Sequence, residues 1–453
     1  MDETNQQNYD AIIIGAGVIG SGITFELARR GLRTVTVDKL PAAGYGSTSA
    51  SSAVVRLNYS TEAGMALAFE GLQYWNRWAE YLELDDPGPL IELVRHTKLM
   101  PKLEDGAHFD LVVSLMTKLG IEHETMSADE AEVRFPAIDL HRFGPPAPLD
   151  DLDAPFWGEP ESKVEEVLVM PLGGYISDPQ LAAQNLADAA KARGATFLFH
   201  REVTGVLRAS TGSGPSAPSG RERVAGVVLA DGTELRAPIV VNVAGPHSAM
   251  INEMAGVLDD MNISTRPMKR EVFVVPAPKG VDFEVEGVMI GDLDIGVYFR
   301  PERGNNVLIG SAEPECDELT WVDDPDAVGD SLDEDEFQLL VLRASRRVRD
   351  LGVPHTKRGV VSCYDVADDW IPIYDRTSLD GFYVAIGTSG NQFKNAASAA
   401  HCVAELIEAV EDGLDHDTEP LQVTGRFTGL PIDMATFSRR RTIDTTSSMT
   451  VMG

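Results

Sequence analysis

Three glycines near the start of the chain have the spacing of a nucleotide-binding turn. Gly15, Gly17 and Gly20 form the pattern G-x-G-x-x-G. The first glycine permits a tight turn, the second lets a pyrophosphate approach the backbone, and the third lets a helix pack against a strand. The unpaired N–H groups at the start of that helix would face the phosphates. The chemistry expected here is the binding of a nucleotide cofactor.

The residues around the glycines predict the elements that such a turn requires. An apolar strand precedes the turn, a helical sequence follows it, and a second apolar run ends in Asp38. An acid about 20 residues after the glycines can accept both ribose hydroxyls, and it would repel a 2′-phosphate. The pattern favours an adenine dinucleotide and leaves NAD and FAD open.

The composition excludes several classes of partner. The chain has 453 residues with 71 acids and 38 bases, a net charge of -33. Such a surface repels nucleic acid and anionic membranes, so we expect neither as a partner. The first ten residues are polar and acidic, unlike a signal peptide, and the apolar runs are too short to span a membrane. The three cysteines form no C-x-x-C pair, so we expect reduced thiols in a cytoplasm, no disulfide framework and no metal site.

The order of the predicted elements indicates an α/β fold with a Rossmann-like nucleotide domain that is interrupted by a second, mostly antiparallel α+β substrate domain. Helical periodicity, βαβ patterns and alternating strands succeed one another along the chain. The Gly-, Ser- and Pro-rich segment Ser210–Arg223 predicts a flexible surface loop. We expect the nucleotide domain over residues 1–63, 168–250 and 341–437, the substrate domain over 64–167 and 251–340, and a disordered tail over 438–453.

Five segments together resemble the D-amino-acid oxidase superfamily of FAD enzymes, and within it the branch of sarcosine and dimethylglycine oxidoreductases. They extend over most of the chain. They are GAGVIGSG with Asp38 and Lys39, GSTSASSAVVRLNYS from Gly46, GGYISDP from Gly173, VVNVAGPHS from Val240, and GTSGNQFKNA from Gly387.

The resemblance implies FAD as the cofactor. The adenosine end would lie on the glycine turn and Asp38, the flavin ring near residues 46–52 and 387–390, and the adenine against the backbone of Val203. The cofactor-binding residues implied in this way are Gly15, Gly17, Val18, Ile19, Gly20, Asp38, Lys39, Gly46, Ser47, Thr48, Ser51, Ser52, Ala53, Val203, Ala244, Gly245, Gly387, Ser389, Gly390, Asn391 and Lys394.

The sequence departs from both patterns by which this family attaches FAD covalently. Ser362 stands where monomeric sarcosine oxidases carry the linking cysteine, and Cys363 follows one residue later. A slip of one residue would turn a strand side chain to the opposite face. Ala50 stands where the dimethylglycine enzymes carry a histidine. We therefore expect FAD to be held without a covalent bond.

The resemblance also implies a substrate site. Arg56 and Lys394 match family residues that bind a substrate carboxylate, which a guanidinium can grip through two hydrogen bonds. Lys394 would stand at a helix N-terminus, where a cation is unfavourable, and this placement suggests a use beyond solubility. Tyr298 and Arg300 belong to a strand, GVYFRPE, that is expected to face the flavin or the substrate, and packing within the sheet is an equally good interpretation. Arg300 would suit a substrate with a second carboxylate.

The expected reaction is oxidation of the C–N bond of a small amino acid, most simply a secondary N-methyl amine, to an imine that hydrolyses. Leu308 stands where monomeric sarcosine oxidases place a lysine that promotes reaction with O2, so either O2 or another carrier would accept the electrons. Lys269 or Arg270 could substitute for that lysine, and a packing or hydrogen-bonding role is expected for His247.

Two alternative functions remain: oxidation of a 2-hydroxy acid, and a flavin-holding subunit of a larger complex. Homo- and hetero-oligomers are both open.

Overall fold

A computed structural model of the chain describes residues 9–104, 106–210, 222–445 and 447–453. Residues 211–221 of the predicted surface loop lie outside these ranges. Among the residues that the structure describes, no helix is both long enough and apolar enough to cross a membrane.

The described residues form strands that are numbered here in chain order. They are β1 Ala11–Ile14, β2 Thr34–Val37, β3 Val54–Val55, β4 Leu93–Arg95, β5 Lys98–Pro101, β6 Glu124–Ser127, β7 Glu166–Met170, β8 Gly174–Ile176, β9 Thr196–Leu198, β10 Val203–Ser210, β11 Glu222–Leu229, β12 Glu234–Arg236, β13 Ile239–Asn242, β14 Thr265–Pro276, β15 Met289–Asp292, β16 Val297–Glu302, β17 Asn306–Ser311, β18 Gly359–Ala367, β19 Ile373–Arg376, β20 Phe382–Ile386, β21 Gln422–Thr424 and β22 Pro431–Asp433.

The α-helices are numbered in the same way. They are α1 Val18–Arg29, α2 Glu62–Asn76, α3 Trp78–Leu82, α4 Ala107–Lys118, α5 Ala128–Arg134, α6 Pro179–Lys191, α7 Ser248–Ala255, α8 Phe283–Glu286, α9 Glu334–Arg347 and α10 Ala396–Glu411.

A six-stranded sheet forms the nucleotide domain. Its strand order is β19-β20-β13-β1-β2-β9, and every neighbouring pair is parallel except β19 with β20 at one edge. Strand β1 is fully buried, because one of its faces packs in the apolar core with α1, α6 and α10 and the other packs in a second core with β10, β11 and β12. Helix α1 packs against α6 and α10 in the main apolar core. The predicted Rossmann-like architecture is confirmed.

An eight-stranded sheet forms the second domain, in the order β18-β14-β17-β16-β15-β5-β7-β6. All of its pairs are antiparallel except β15 with β5, as expected for the substrate domain. Strand β18 pairs with β14 from Thr265 opposite Ala367 to Phe273 opposite Gly359. It thus lies in this sheet, although residues 341–437 were expected in the nucleotide domain. The pairing of two strands so far apart in sequence is not visible in local patterns.

The C-terminal segment is packed against the protein, and the expectation of a disordered tail over 438–453 is wrong for the residues that the structure describes. Arg439 is fully buried, and its guanidinium contacts Asp375 at 3.0 Å and Asp417 at 2.7 Å. Arg441 contacts Asp369 at 2.7 Å. Val451 and Met452 are also buried. The polar composition misleads here because the arginines pair with acids that are remote in sequence.

We predict that Arg439→Leu lowers the free energy of unfolding by about 3–5 kcal/mol, because Asp375 is then left buried without its main cation. The matched control is Arg440→Leu. Arg440 is half exposed and pairs with Asp260 and Asp417, so its loss should cost less than about 1 kcal/mol. Denaturant unfolding of both variants measures the difference, and equal effects would contradict the prediction.

Candidate functional site

A long cleft of about 1710 Å³ runs beside the glycine turn and reaches the eight-stranded sheet. At Gly15, which has φ 110°, a side chain would overlap the carbonyl of Val243. At Gly20 a side chain would overlap the carbonyl of Gly15. A Cβ on Gly17 would meet only Thr48 Oγ1, at 3.2 Å, so this glycine borders open space. Gly15 and Gly20 therefore have the geometry of a tight turn and of close helix packing, and the approach of a cofactor at Gly17 stays a prediction.

The N-terminus of α1 suits a phosphate. The N-cap residue, Gly17, has no side chain to cap the helix, and the first turn contains no acid. The backbone N–H of Val18 donates to Thr48 Oγ1 at 3.1 Å, which fixes the neighbouring loop against the helix. Free N–H groups and the positive end of the helix dipole attract an anion such as a pyrophosphate.

The Asp38 carboxylate stabilises the glycine turn through hydrogen bonds. It accepts hydrogen bonds from the backbone N–H of Ala16 at 2.7 Å and of Leu40 at 2.8 Å. Asp38 itself does not line the cleft, whereas the next residue, Lys39, does. In the structure its carboxylate thus fixes the loop geometry, and the role towards the ribose stays a prediction.

Most of the residues predicted to bind the cofactor border this cleft. They are Gly15, Gly17, Val18, Ile19, Gly20, Lys39, Gly46, Ser47, Thr48, Ser51, Ser52, Ala244, Gly245 and Gly390. A second group lies behind them in the walls. These residues are Asp38, Ala53, Val203, Gly387 and Ser389, among which Ser389 donates its backbone N–H to the carbonyl of Asp365 at 2.7 Å.

The two positions considered for a covalent link both border the cleft. Ser362 and Cys363 lie on β18, and Ala50 lies in the opposite loop. Burial raises the pKa of the Cys363 thiol, which disfavours the thiolate that a covalent attachment would require. The carbonyl of Cys363 accepts a hydrogen bond from Ser47 Oγ at 2.8 Å, so this strand is fixed against the cofactor loop.

The acidic segment after β17 closes one end of the cleft, which the sequence did not reveal. Asp326 accepts from Lys39 and lies 3.1 Å from His247 Nε2. Lys39 Nζ lies 3.0 Å from the same ring nitrogen. These contacts hold His247 at the mouth of the cleft, in the hydrogen-bonding role expected for it.

A smaller pocket adjoins the cleft. Both cavities are lined by Ser51, Ser52, Gly390 and Phe393, so the smaller one opens at the end of the cleft where the flavin ring was expected. Its remaining wall is partly cationic and partly apolar. The lining residues that belong to this pocket alone are Val54, Arg56, Lys98, Met289, Ile290, Gly291, Tyr298, Phe299, Asn391, Lys394, Val451 and Met452.

Arg56 and Lys394 both line this pocket, and both contact Tyr59. The Arg56 guanidinium stacks over the Tyr59 ring at 4.6 Å and donates to the carbonyls of Asn58 and Val451, the latter at 2.9 Å. Lys394 Nζ donates to Tyr59 Oη at 3.1 Å and to the carbonyl of Asn391 at 2.5 Å. The structure thus brings together two candidates from opposite ends of the sequence.

Lys98 is a third cation in the pocket that the sequence reasoning missed. It lies on β5 and is only 2% exposed, and its Nζ donates to Asn58 Oδ1 at 2.7 Å. The signal available was a lysine within the otherwise apolar strand segment KLMP, all of whose residues are buried. Asn58 and Tyr59, which follow Arg56 in the motif RLNYS, were missed as well.

The electrostatics of the three cations differ from those of ordinary ion pairs. The hydrogen-bond partners of Arg56, Lys98 and Lys394 are carbonyls, an amide and a phenol. Burial lowers the pKa of each group, and the charge of Arg56 lowers the pKa of both lysines further. A bound anion would relieve this repulsion.

Tyr298 and Arg300 occupy different positions although they share β16. Tyr298 lines the pocket and lies 3.3 Å from Ser52 Oγ through its hydroxyl. Arg300 points into the wall, where it donates to the carbonyl of Ser52 at 2.8 Å and pairs with Glu302 at 2.9 Å. Arg300 therefore supports the loop around Ser52 and does not line the pocket.

In the structure, the residues considered for the reaction with O2 take part in apolar packing or in ion pairs. Leu308 lies opposite Arg300 in the β16–β17 pairing and is buried in an apolar cluster. Lys269 pairs with Glu271 at 2.6 Å, and Arg270 pairs with Glu313 at 3.2 Å.

The C-terminal segment completes the pocket wall. The thioether of Met452 lies against Gly291, where any side chain would overlap it. The backbone N–H of Val451 donates to Glu313 Oε2 at 3.0 Å. Burial raises the pKa of Glu313 to about 7 despite the neighbouring Arg270. The carbonyl of Val451 accepts a hydrogen bond from the Arg56 guanidinium inside the pocket.

One cluster of possible metal ligands lies away from the cleft. Donor atoms of Glu132, Asp139 and His141 are within 4.8 Å of one another. Lys163 and Arg349 already pair with Glu132, at 2.6 and 2.9 Å. Two cations therefore already offset the negative charge of this cluster.

The match to known proteins extends over most of the chain. A family model described as FAD dependent oxidoreductase (DAO) matches residues 10–406. A glycine oxidase of Geobacillus kaustophilus is 26% identical over 90% of this chain and 95% of that protein. The sarcosine oxidase subunit beta of Rhizobium meliloti is 24% identical over 88% and 84% of the two chains. Among solved structures, L-proline dehydrogenase from P. horikoshii has a TM-score of 0.69 at 20% identity, with 88% of this chain and 93% of that chain covered.

The raised pKa of Glu313 predicts how pH changes stability. The folded protein holds this proton more tightly than the unfolded chain, whose carboxyl has its usual pKa near 4.5. The resulting stabilisation is complete below pH 4.5 and is lost as pH rises through about 7. Relative to Glu313→Gln, the native protein should therefore lose up to about 3 kcal/mol of unfolding free energy between pH 5 and 8. Denaturant unfolding at several pH values checks this, and parallel pH curves for the two proteins would contradict it.

Proposed function

Because the chain belongs to the FAD dependent oxidoreductase family, we propose that it oxidises the C–N bond of a small amino acid, preferably a secondary N-methyl amine, to an imine that hydrolyses in water. The observation that carries this proposal is the pair Arg56 and Lys394. Both are buried, both face one pocket beside the cofactor cleft, and their recorded partners are neutral. A substrate carboxylate is the complement of such a pair.

The cofactor is FAD, which accepts a hydride equivalent from a substrate carbon when it is bound. The residues of the cleft fit it: the N-terminus of α1 and the open face of Gly17 suit the pyrophosphate. We propose that FAD is held without a covalent bond, since Ala50 and Ser362 offer no linking group and the pKa of Cys363 is raised.

The pocket would bind and orient the substrate. One N–H group of Arg56 donates to the carbonyl of Val451. A carboxylate oxygen can take the place of this neutral acceptor and form a charge-assisted hydrogen bond. Lys394, whose Nζ donates to the Tyr59 hydroxyl, would contact the same carboxylate. With the carboxylate fixed between them, the α carbon lies towards the cofactor cleft, and orientation supplies much of the rate acceleration.

The cations also favour the reactive form of the amine. Oxidation requires an unprotonated nitrogen with a free lone pair, and nearby positive charges disfavour an ammonium group. The apolar part of the wall, which includes Val54, Ile290 and Phe299, suits an N-alkyl substituent. The similarity to a sarcosine oxidase subunit supports the preference for a secondary amine.

The electron acceptor is O2 or another carrier. Leu308 offers no charge near the cofactor, and Lys269 and Arg270 are engaged with acids, which favours a carrier other than O2. We keep a cytoplasmic location as a proposal, consistent with three free thiols.

The two alternative functions are 2-hydroxy acid oxidation and a flavin-holding subunit of a larger complex. Oxidation of a 2-hydroxy acid requires a base for the hydroxyl proton, and among the described residues no histidine lines the substrate pocket. A flavin-holding subunit is favoured by the similarity to a protein named as a subunit. Turnover by the purified chain alone separates that case.

We predict that a secondary amino acid reduces the bound flavin anaerobically, with bleaching near 450 nm. A panel of N-methyl amino acids, D-amino acids and 2-hydroxy acids gives the reaction class, and admission of air then measures the rate with O2. Bleaching by a 2-hydroxy acid alone would contradict the proposal, and so would the absence of bleaching by every amine.

We predict that Arg56→Met and Lys394→Met each raise KM for the amino acid by about 10–100-fold, because each removes a charge-assisted hydrogen bond to the carboxylate. FAD should stay bound at full stoichiometry, since neither side chain lines the long cleft. Arg303→Met is the matched control, because Arg303 is exposed and pairs with Glu92 at the surface. Unchanged KM in both pocket variants would rule out the clamp.

A further inference from the structure

We infer that Lys98, oriented by Asn58, binds a second carboxylate, so that the substrate is an N-substituted amino acid with two carboxylates. This inference rests on the proposed function, because it assigns the first carboxylate to Arg56 and Lys394. It names the substrate class more narrowly than that function does.

The sheet holds Lys98 in place, because the strand that carries it has a neighbouring strand on each side. Strand β5 pairs with β7 on one side and with β15 on the other, with Lys98 opposite Met170 and Met289. Lys98 lines the pocket, and its Nζ lies 3.5 Å from the position that a Cβ on Gly291 would take. A lysine on a surface could turn to water, but this side chain is only 2% exposed.

The pocket lacks an acid to balance this charge. Among the described residues that line it, three are cationic and none is a carboxylate. The nearby Glu313 is engaged by Arg270 and by the backbone N–H of Val451. A buried ammonium group without a counter-ion is costly, so a site that keeps one in place is suited to an anion that arrives with the ligand.

A single carboxylate does not use all of the hydrogen-bond donors of Arg56, Lys394 and Lys98. Two parallel N–H groups of Arg56 can hold both oxygens of a carboxylate, and Lys394 adds a third charged donor. A monoanion therefore leaves Lys98 uncompensated. A dianion places a carboxylate on Lys98 and favours the protonated form of this lysine.

Asn58 fixes the spacing of the two anion sites. Its backbone carbonyl accepts from Arg56, and its side-chain Oδ1 accepts from Lys98 at 2.7 Å. A single residue thus orients both cations. Carboxylates that bind them must be separated by only a few bonds, as in N-(carboxymethyl)glycine or N-methylaspartate.

The test compares the turnover of these two dicarboxylates with that of sarcosine, which carries one carboxylate, in the presence of O2 or an artificial electron acceptor. In the native protein, at least one dicarboxylate should have a KM about tenfold or more below that of sarcosine. Lys98→Met should raise the KM of that dicarboxylate by about 10–100-fold relative to the KM of sarcosine in the same variant. Equal KM values for sarcosine and both dicarboxylates in the native protein would overturn the inference and leave the proposed function intact.

A second variant and a binding measurement keep the test independent of turnover. Asn58→Asp places an acid on Lys98 and should abolish the preference for dicarboxylates. Succinate should raise the Tm of the FAD-loaded native protein more than propionate does, and Lys98→Met should remove that difference. If no amine reduces the flavin but the succinate effect is lost in Lys98→Met, the dianion site stands and the proposed reaction fails. If succinate and propionate stabilise the native protein equally, the second site is refuted.

Discussion

The structure depends on burying three basic side chains side by side in one pocket. Arg56, Lys98 and Lys394 lose hydration, and their mutual repulsion is reflected in the lowered pKa values of both lysines. Such an arrangement is unfavourable in isolation, and the rest of the fold must maintain it. It does so with neutral acceptors, which satisfy the N–H groups without cancelling the charge. The pocket therefore keeps an attraction for anions that ordinary ion pairs would have removed.

The supports for this cluster come from both domains and from the end of the described chain. Tyr59 contacts Arg56 through its ring and Lys394 through its hydroxyl, and its own O–H donates to the carbonyl of Asn391 at 2.6 Å. The C-terminal segment adds the carbonyl of Val451. Since that carbonyl accepts from Arg56 as a carboxylate oxygen would, it satisfies the guanidinium until an anion arrives. The buried ion pairs of Arg439 hold this segment against the protein and so contribute to the pocket from a distance.

The parts that sequence reasoning predicted are those whose physical cause is local. The glycine turn follows from backbone geometry within six residues, and the two sheets follow from hydrophobic periodicity. The placement of Arg56 and Lys394 came from motifs, and the structure brings them to one pocket. Lys98 escaped notice because its burial depends on the pairing of β5 with β7 and β15. The packed tail escaped because Arg439 meets acids that lie far away in sequence, and composition alone does not indicate such pairs.

The acidic exterior and the basic pocket act over different distances. A net charge of -33 opposes the approach of an anionic substrate, yet at physiological salt the Debye length is only about 8 Å. Surface charges are therefore largely screened from an anion that has entered the pocket. The buried cations are screened much less, because little water surrounds them. On the proposed function, the surface therefore affects the rate of encounter, while Arg56, Lys98 and Lys394 would set the affinity for a carboxylate inside the pocket.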